Sequence, residues 1–469
     1  MKKIISVIFC AIFLFVQSCT PNVAEDIPEK TDDLVSTPVV EAAENNGFTS
    51  IPNQDFGGRE FVILTTDESF CDSTEKSGII GTELYKRNRA IEEKFNIKIR
   101  AVSVKDSSLQ TSLSDGGYDL VYAPMGTLAS AAGNGHTLNI YSVAFFDYGA
   151  EYVNPALVSS LSQSDTLYSV FGSAAYDTRS LWAVYYNKDV VAELGYDVNA
   201  LVESGEWTWE KFLEISNAAL LDVDKNKKMR ASDDRFGYAS TLHTTDFADA
   251  VFASIGKKFF TLSDNGNFEM SFAETDEDKY VSFLRDICVK NKARYPADKP
   301  GNSAYNAFCE SRLAFFCEKL SYASKLAYAP CNWGVLPMPK KDVTQKDYLS
   351  LADKTTYGYA VPYTAKDSAL CGKVLSAIYA YDYYCGTDVV TDAWTYYYLR
   401  DNASSVNVRK ISENPVYDAA YVFGDTYADF RMASYEILHS AIDKNANFTQ
   451  LYNQNKKPFS DFIGRQFTH

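Results

Sequence analysis

The apolar residues of this chain fall into short runs whose period changes along the sequence, and each change marks an element. Phe61-Val62-Ile63-Leu64 is a β-rich run just after the turn pair Gly57-Gly58. From about Thr82, Leu84, Ile91 and Phe95 recur on one helical face with charges between them. Asn96 ends that helix, and Ile97, Ile99 and Val102 open a second strand-like run. After a weaker helix, Tyr118 to Tyr122 reads as a third strand. Strand, helix, strand, helix, strand predicts a parallel sheet joined by right-handed crossovers. Ligands of such sheets lie beyond the carboxyl ends of the strands, here Thr65 to Asp72 and Ala123 to Leu128. That makes Asp67, Tyr122 and Met125 candidate ligand residues.

A stretch rich in turn residues and aromatics then leads to Ser180-Leu181-Trp182-Ala183-Val184-Tyr185-Tyr186, a clear strand. Asn187-Lys188-Asp189 breaks it, and a helix follows to Leu194, closed by Gly195. Thr208 is a good N-cap, with Glu210 in the first turn and Trp207 and Phe212 at staple spacing. Trp209, Phe212, Leu213 and Leu220 supply an apolar stripe, so both tryptophans read as core before they read as ligand residues. Further on, the pattern predicts a helical region around 279–292, and a strand pair near 313–316 and 334–336. It then predicts a strand at 357–361 and helices around 369–383 and 417–443. No internal repeat is present.

The N-terminus has a different character. Lys2 and Lys3 precede an apolar run from Ile4 to Val16, shorter than the roughly 20 residues that span a bilayer. This reads as a secretory signal peptide. Val16-Gln17-Ser18-Cys19 resembles the lipobox of bacterial lipoproteins, which implies that Cys19 carries the lipid and becomes the mature N-terminus. From Thr20 to about Gly47, Pro21, Pro28 and Pro38 sit among acidic residues, a composition that cannot bury a core and predicts an extended tether. Residues 1–18 are therefore expected to be signal and 19–56 lipidated cysteine plus tether.

At 469 residues the chain has room for two or three domains of roughly 150 residues. Hydrophobic residues are 46% and charged residues 23%, the balance of a soluble globular body. A net charge of -16 with no long Lys/Arg block excludes nucleic acid as a partner. The 33 Tyr and 29 Phe fill cores and strands, and Tyr is also what sugar-stacking pockets use. His136, His243, His439 and His469 are scattered, so neither a zinc site nor a cofactor is expected. Beyond Cys10 and Cys19, the cysteines Cys71, Cys288, Cys309, Cys317, Cys331, Cys371 and Cys385 are odd in number and dispersed, which favours buried thiols over a disulfide framework. No Gly-x-Ser-x-Gly, Walker loop or HExxH is present, so binding without turnover is the expectation, not catalysis.

Several segments together resemble the extracellular solute-binding lipoproteins of bacterial ABC importers, in the sugar-binding, maltose-binding-protein-like branch. The carriers are Leu181 to Asp189 with its Tyr-Tyr-Asn-Lys-Asp ending, then Gly195, then Trp207-Thr208-Trp209-Glu210-Lys211-Phe212. Phe308 to Phe316, Asn332 to Pro339 and Tyr357 to Pro362 fit in the same order. The resemblance implies a two-lobed α/β fold with discontinuous lobes, 57–172 plus 350–390 and 173–349 plus 391–469, closing on a ligand about a hinge. It implies a monomeric, lipid-anchored receptor on the extracytoplasmic face of the cell membrane. That receptor would capture a small solute, a mono- or oligosaccharide by preference, for ABC permease transmembrane subunits. Tyr176, Asp177, Arg179 and Trp182 would lie where the lobes cross. Glu318, after its strand, and Trp394, in a Tyr-rich stretch, would join them. Asp222, Asp224, Asn226 and Asp233 have the spacing of a degenerate calcium loop, with Lys227 where a Gly belongs, and a solvated polar turn is the favoured reading. A lipid-anchored, carboxylate-dependent glycan hydrolase or lyase and a surface interaction lipoprotein are the alternatives.

Overall fold

The computed structural model describes residues 47–71, 74, 78–171, 178–240, 244–272, 277–297, 303–386 and 395–466. Its strands are β1 (Arg59–Thr65), β2 (Ile97–Ser103), β3 (Leu120–Pro124), β4 (Val170–Phe171), β5 (Trp182–Asn187) and β6 (Phe236–Ser240). They continue with β7 (Phe260–Leu262), β8 (Phe268–Met270), β9 (Leu313–Lys319), β10 (Trp333–Leu336), β11 (Ser350–Leu351), β12 (Tyr357–Ala360) and β13 (Pro415–Val416). Two sheets organise them. The first has the order β2-β1-β3-β12-β4 and the second β10-β5-β9-β6.

The first sheet follows from the predicted alternation. β1 pairs in parallel with β2 and β3, and helix Gly78–Phe95 makes the crossover. Leu84, Ile91 and Phe95 are buried, and Asn96 turns the chain at φ 44. β12 joins late and runs antiparallel between β3 and β4. Helix Ser368–Tyr381 covers this sheet: the Cys371 thiol donates to the Asp119 carbonyl at 3.0 Å, and Ser376 Oγ to the Phe145 carbonyl at 2.8 Å.

In the second sheet every residue of β5 is buried, as expected for a strand covered on both faces. Asn187 caps the next helix, Lys188–Glu193, by accepting from Val190 N at 3.1 Å. Thr208 caps helix Trp209–Ala218, and Trp207 and Trp209 are sealed in the core. The buried face of that helix runs through Phe212, Ile215 and Ala219, with Leu213 at its margin. Helix Asn402–Glu413 packs on β10, where Ser404 Oγ accepts from Val335 N at 2.9 Å and Asn407 Nδ2 donates to Val335 O at 2.8 Å.

Two expectations need correction, and two elements went unread. Residues 313–316 and 334–336 are both in strands but do not pair, because β5 lies between them and bonds to each. The region 417–443 is three short helices, Ala419–Phe423, Ala428–Met432 and Tyr435–Asp443, broken at Gly424 and Ala433-Ser434. β6 carries no alternation because Gly237 lies against helix Trp209–Ala218, where a Cβ would meet the Ser216 carbonyl. The pattern also passed over helix Phe448–Gln466, whose Phe459 stacks on Phe260 of the β7–β8 hairpin at 4.5 Å.

Candidate functional site

Strand direction decides where the two sheets present ligand-binding edges. In the first sheet, the carboxyl ends of β1 and β3 and the start of antiparallel β12 share one edge. In the second, the register pairs Trp182 with Lys319 and Ser240 with Cys317, so the start of β5 and the ends of β6 and β9 share one edge. The connections join these two edges. Leu181 bridges Ala352, Asp353 N donates to Ser180 O at 3.2 Å, and the Ser180 and Thr356 hydroxyls hydrogen-bond. The carboxyl edges of both sheets therefore meet at the crossing of 178–182 with 350–357.

Of the sequence candidates, Asp67, Tyr122, Met125 and Arg179 gather around Tyr357 at the first edge. Tyr122 packs against Phe70, Tyr357 and Tyr359 at 4.8, 5.0 and 4.6 Å between ring centroids. Met125 follows directly, its N–H donating to Thr356 O at 2.7 Å. The Tyr357 hydroxyl meets Thr66 Oγ1 at 3.2 Å; burial raises its pKa, Asp67 and Asp106 add to the rise, and Arg179 opposes it. Asp67 and Arg179 are half-buried, and Arg179 Nε is buried without a hydrogen-bond partner among the described residues.

Trp182 and Glu318 lie at the second edge but on opposite faces, since Glu318 pairs with Ala183 and Trp182 with Lys319. Both are fully covered in this conformation, as is Met125. Glu318 Oε1 accepts from Lys319 N at 3.0 Å, while Oε2 has no partner among the described residues. Burial pushes its pKa up to about 7. Trp182 Nε1 and Ser240 Oγ are likewise buried and unpartnered among the described residues. An unmatched buried donor or acceptor costs about 1–3 kcal/mol. Trp182 and Ser240 carry theirs on one face of the sheet and Glu318 on the other. Tyr176, Asp177, Trp394 and Cys19 lie outside the described residues.

The sequence reading missed Asp353, Lys319 and Tyr421, which tie the crossing together. Lys319 Nζ lies 3.5 Å from Asp353 Oδ1, and the Tyr421 hydroxyl donates to Asp353 Oδ2 at 2.9 Å. Behind Tyr421, burial raises Asp249 and Asp418 to about 6. Burial works against a charged His439, but its 2.9 Å contact with Asp249 outweighs that and raises it. No local pattern announces Asp353, whose partners come from distant segments.

The calcium-loop register is also corrected. Asp234 replaces Asp233 as the inward carboxylate beside Asp222 and Asp224. Its oxygens accept from Val223 N and Arg230 N, and Asp222 accepts from Asn226 N and Lys227 N. These carboxylates hold the turn's own amides. Lys227 keeps the left-handed backbone of the missing glycine, at φ 64.

No protein-family model matches this chain, and no curated protein matches its sequence. Solved structures do match in fold. An ABC substrate-binding protein of Listeria monocytogenes in complex with cycloalternan aligns with a TM-score of 0.55 at 13% identity, over 87% of this chain and 99% of its own. The maltose-binding periplasmic protein of the same organism, in complex with maltose, gives 0.56 at 12% over 88% and 99%. An ABC transporter solute-binding protein of Thermotoga lettingae bound with α-D-tagatose gives 0.52 at 14% over 87% and 100%. The resemblance read from the sequence is thus met at the level of the fold: this chain has the two-lobed α/β fold of the periplasmic-binding-protein type, with discontinuous lobes and a hinge.

Proposed function

We propose that this chain is a solute-binding receptor that closes two lobes on a carbohydrate and hands it to an ABC permease without chemical change. The observation that carries the reading is the junction itself. Two sheets turn their carboxyl edges onto one crossing, and Arg179, Trp182, Glu318 and Ser240 carry unpartnered buried polar atoms there. Few polar groups among aromatics is the usual make-up of a small-molecule site. The sugars named for the fold's neighbours support a saccharide over a peptide or polyamine.

In this reading residues 57–172 plus 350–390 form one lobe and 173–349 plus 391–469 the other. Tyr122 and Tyr357 offer aromatic faces to the C–H surface of a sugar ring. Asp67, Tyr176, Asp177 and Arg179 take its hydroxyls, and Trp182, Glu318 and Trp394 meet it from the second lobe. Ligand favours the closed state because it touches both lobes only there. Cys19 holds the chain at the extracytoplasmic face of the cell membrane through its lipid, and 20–46 spaces the body from the surface; the tether expected over 19–56 ends earlier, because 47–56 packs on the first lobe, with Phe48 buried against Tyr381 and Gln54 N and Phe56 N donating to Lys94 O and Phe95 O at 3.0 Å. No helix among the described residues is long and apolar enough to cross a membrane.

The test is a thermal-shift and calorimetric screen of the purified chain against mono- and oligosaccharides, peptides and polyamines. A ligand at 100 times its dissociation constant adds about 2.7 kcal/mol of stability. A shift confined to saccharides, with the ligand recovered unchanged, is the expected result. Consumed ligand would turn the reading to a hydrolase or lyase, and no shift across the panel to a surface interaction protein.

A further inference from the structure

The second sheet carries a pair of cysteines that its topology brings together. β5 runs antiparallel to both β9 and β10, so the chain comes into both strands over the carboxyl end of β5. Asn187, the last residue of β5, ties down the two approaching segments: its Nδ2 donates to Ser311 Oγ at 3.0 Å, and Trp333 is its register partner. Cys309 and Cys331 stand two residues before these contacts on their respective segments; both are free thiols in this structure, near enough for each to act on the other's ionisation. Cys309 ends helix Ala304–Cys309 and is half-buried, while Cys331 is buried.

Their backbones are held in place. Arg400 Nη1 donates to Cys331 O at 2.7 Å, and its Nη2 to Ala329 O at 2.7 Å and Ala327 O at 2.8 Å. Lys188 N donates to Asn332 O at 2.8 Å, and Tyr305, one turn before Cys309, donates to Lys325 O at 3.1 Å.

We propose that Cys309 and Cys331 form a disulfide that staples the segments leading into β9 and β10 across the end of β5. The Cys331 thiol favours the Cys309 thiolate, bringing its pKa down to about 7 against the opposing effect of burial, while Cys331 is raised. Cys309 is thus the attacking sulfur. Its thiolate attacks a small-molecule or protein disulfide, releasing one thiolate and leaving a mixed disulfide. Cys331 then gives up its proton, attacks Cys309 Sγ and releases the second thiolate. Both cysteines are oxidised by two electrons in all, and the oxidant leaves as two thiols. The closed loop contains β9 with Glu318 and Lys319, so the staple steadies the second edge of the candidate site. In the cell this step rests on the extracytoplasmic location proposed above; in the purified chain it does not.

The test is peptide mapping of the purified chain after incubation with oxidised or reduced glutathione and alkylation of the remaining thiols. The expected result is a Cys309–Cys331 linked peptide after oxidation, with both alkylated after reduction. Reductant should lower Tm by about 3–6 °C in the wild type and leave a C309S/C331S double variant unmoved. Alkylation of both cysteines after oxidation, or linkage of either to another cysteine or to glutathione alone, would overturn the pairing without needing a variant to fold. A linked pair in the purified chain that is found reduced in chain alkylated inside growing cells would support the pairing and count against the export reading.

Discussion

At the residue scale, Glu318 combines complete burial, one oxygen without a partner among the described residues and a pKa raised to about 7. A carboxyl whose folded pKa lies above its unfolded value of 4.5 contributes stability that is present below about pH 4.5 and lost as pH rises through about 7. The shift corresponds to something on the order of 3 kcal/mol. Asp249 and Asp418, raised to about 6, act in the same direction. Calorimetric unfolding should therefore give a higher Tm at pH 5 than at pH 8. Glu318→Gln keeps an acceptor for Lys319 N and removes the charge, so it should gain about 2 kcal/mol at pH 8 and nothing at pH 4.5; an equal gain at both values would refute the assignment. Arg179 makes a complementary case, because its half-buried guanidinium serves no hydrogen bond at Nε among the described residues. Arg179→Met should weaken solute binding at least tenfold by calorimetry while moving Tm little, and unchanged binding would remove Arg179 from the site.

At the element scale, the first sheet's covering helices are locked by a buried ion pair. Arg87 of helix Gly78–Phe95 holds Asp382, just after helix Ser368–Tyr381, at 3.0 Å and also donates to the Tyr359 hydroxyl of β12 at 3.2 Å. Removing one member strands the other without solvent, which costs about 3–5 kcal/mol. Asp382→Ala should lose that much in urea unfolding, while Arg87→Met with Asp382→Leu should recover most of it; equal loss in single and double variants would deny the pair its role. The same elements explain what a sequence reader could see. β1, β2 and β3 were legible because each is a local apolar run next to a helix of plain periodicity. β6 was not, since Gly237 serves a contact made by a distant helix. The separation of β9 from β10 was invisible too, because β5 inserts between them from more than a hundred residues earlier. Asp67, Tyr122 and Arg179 were singled out from strand ends and the resemblance, and they gather around Tyr357. Asp353 escaped because its partners, Lys319 and Tyr421, come from other parts of the chain.

At the scale of the whole molecule, the conformation is held by contacts between segments assigned here to different lobes. Lys258, before the β7–β8 hairpin, donates to Ser160 Oγ at 2.7 Å, and Ser164 N donates to Gly266 O at 2.8 Å. The Ser164 hydroxyl bonds Asn267, and Lys354 pairs with Asp425. Each such bond adds only about 0.5–1.5 kcal/mol, so the equilibrium between closed and open forms is within reach of a few substitutions. Where binding requires the closed form, apparent affinity falls in proportion to its population. A Ser160→Ala, Asn267→Ala double variant removes two of these bonds and touches neither main sheet. Its unliganded radius of gyration should rise in X-ray scattering and shrink again on adding solute, with a dissociation constant roughly 5–50 times that of the wild type. Scattering and affinity that both match the wild type would mean these contacts do not bias closure, and that the crossing at Leu181 and Ala352 alone sets the angle between the lobes.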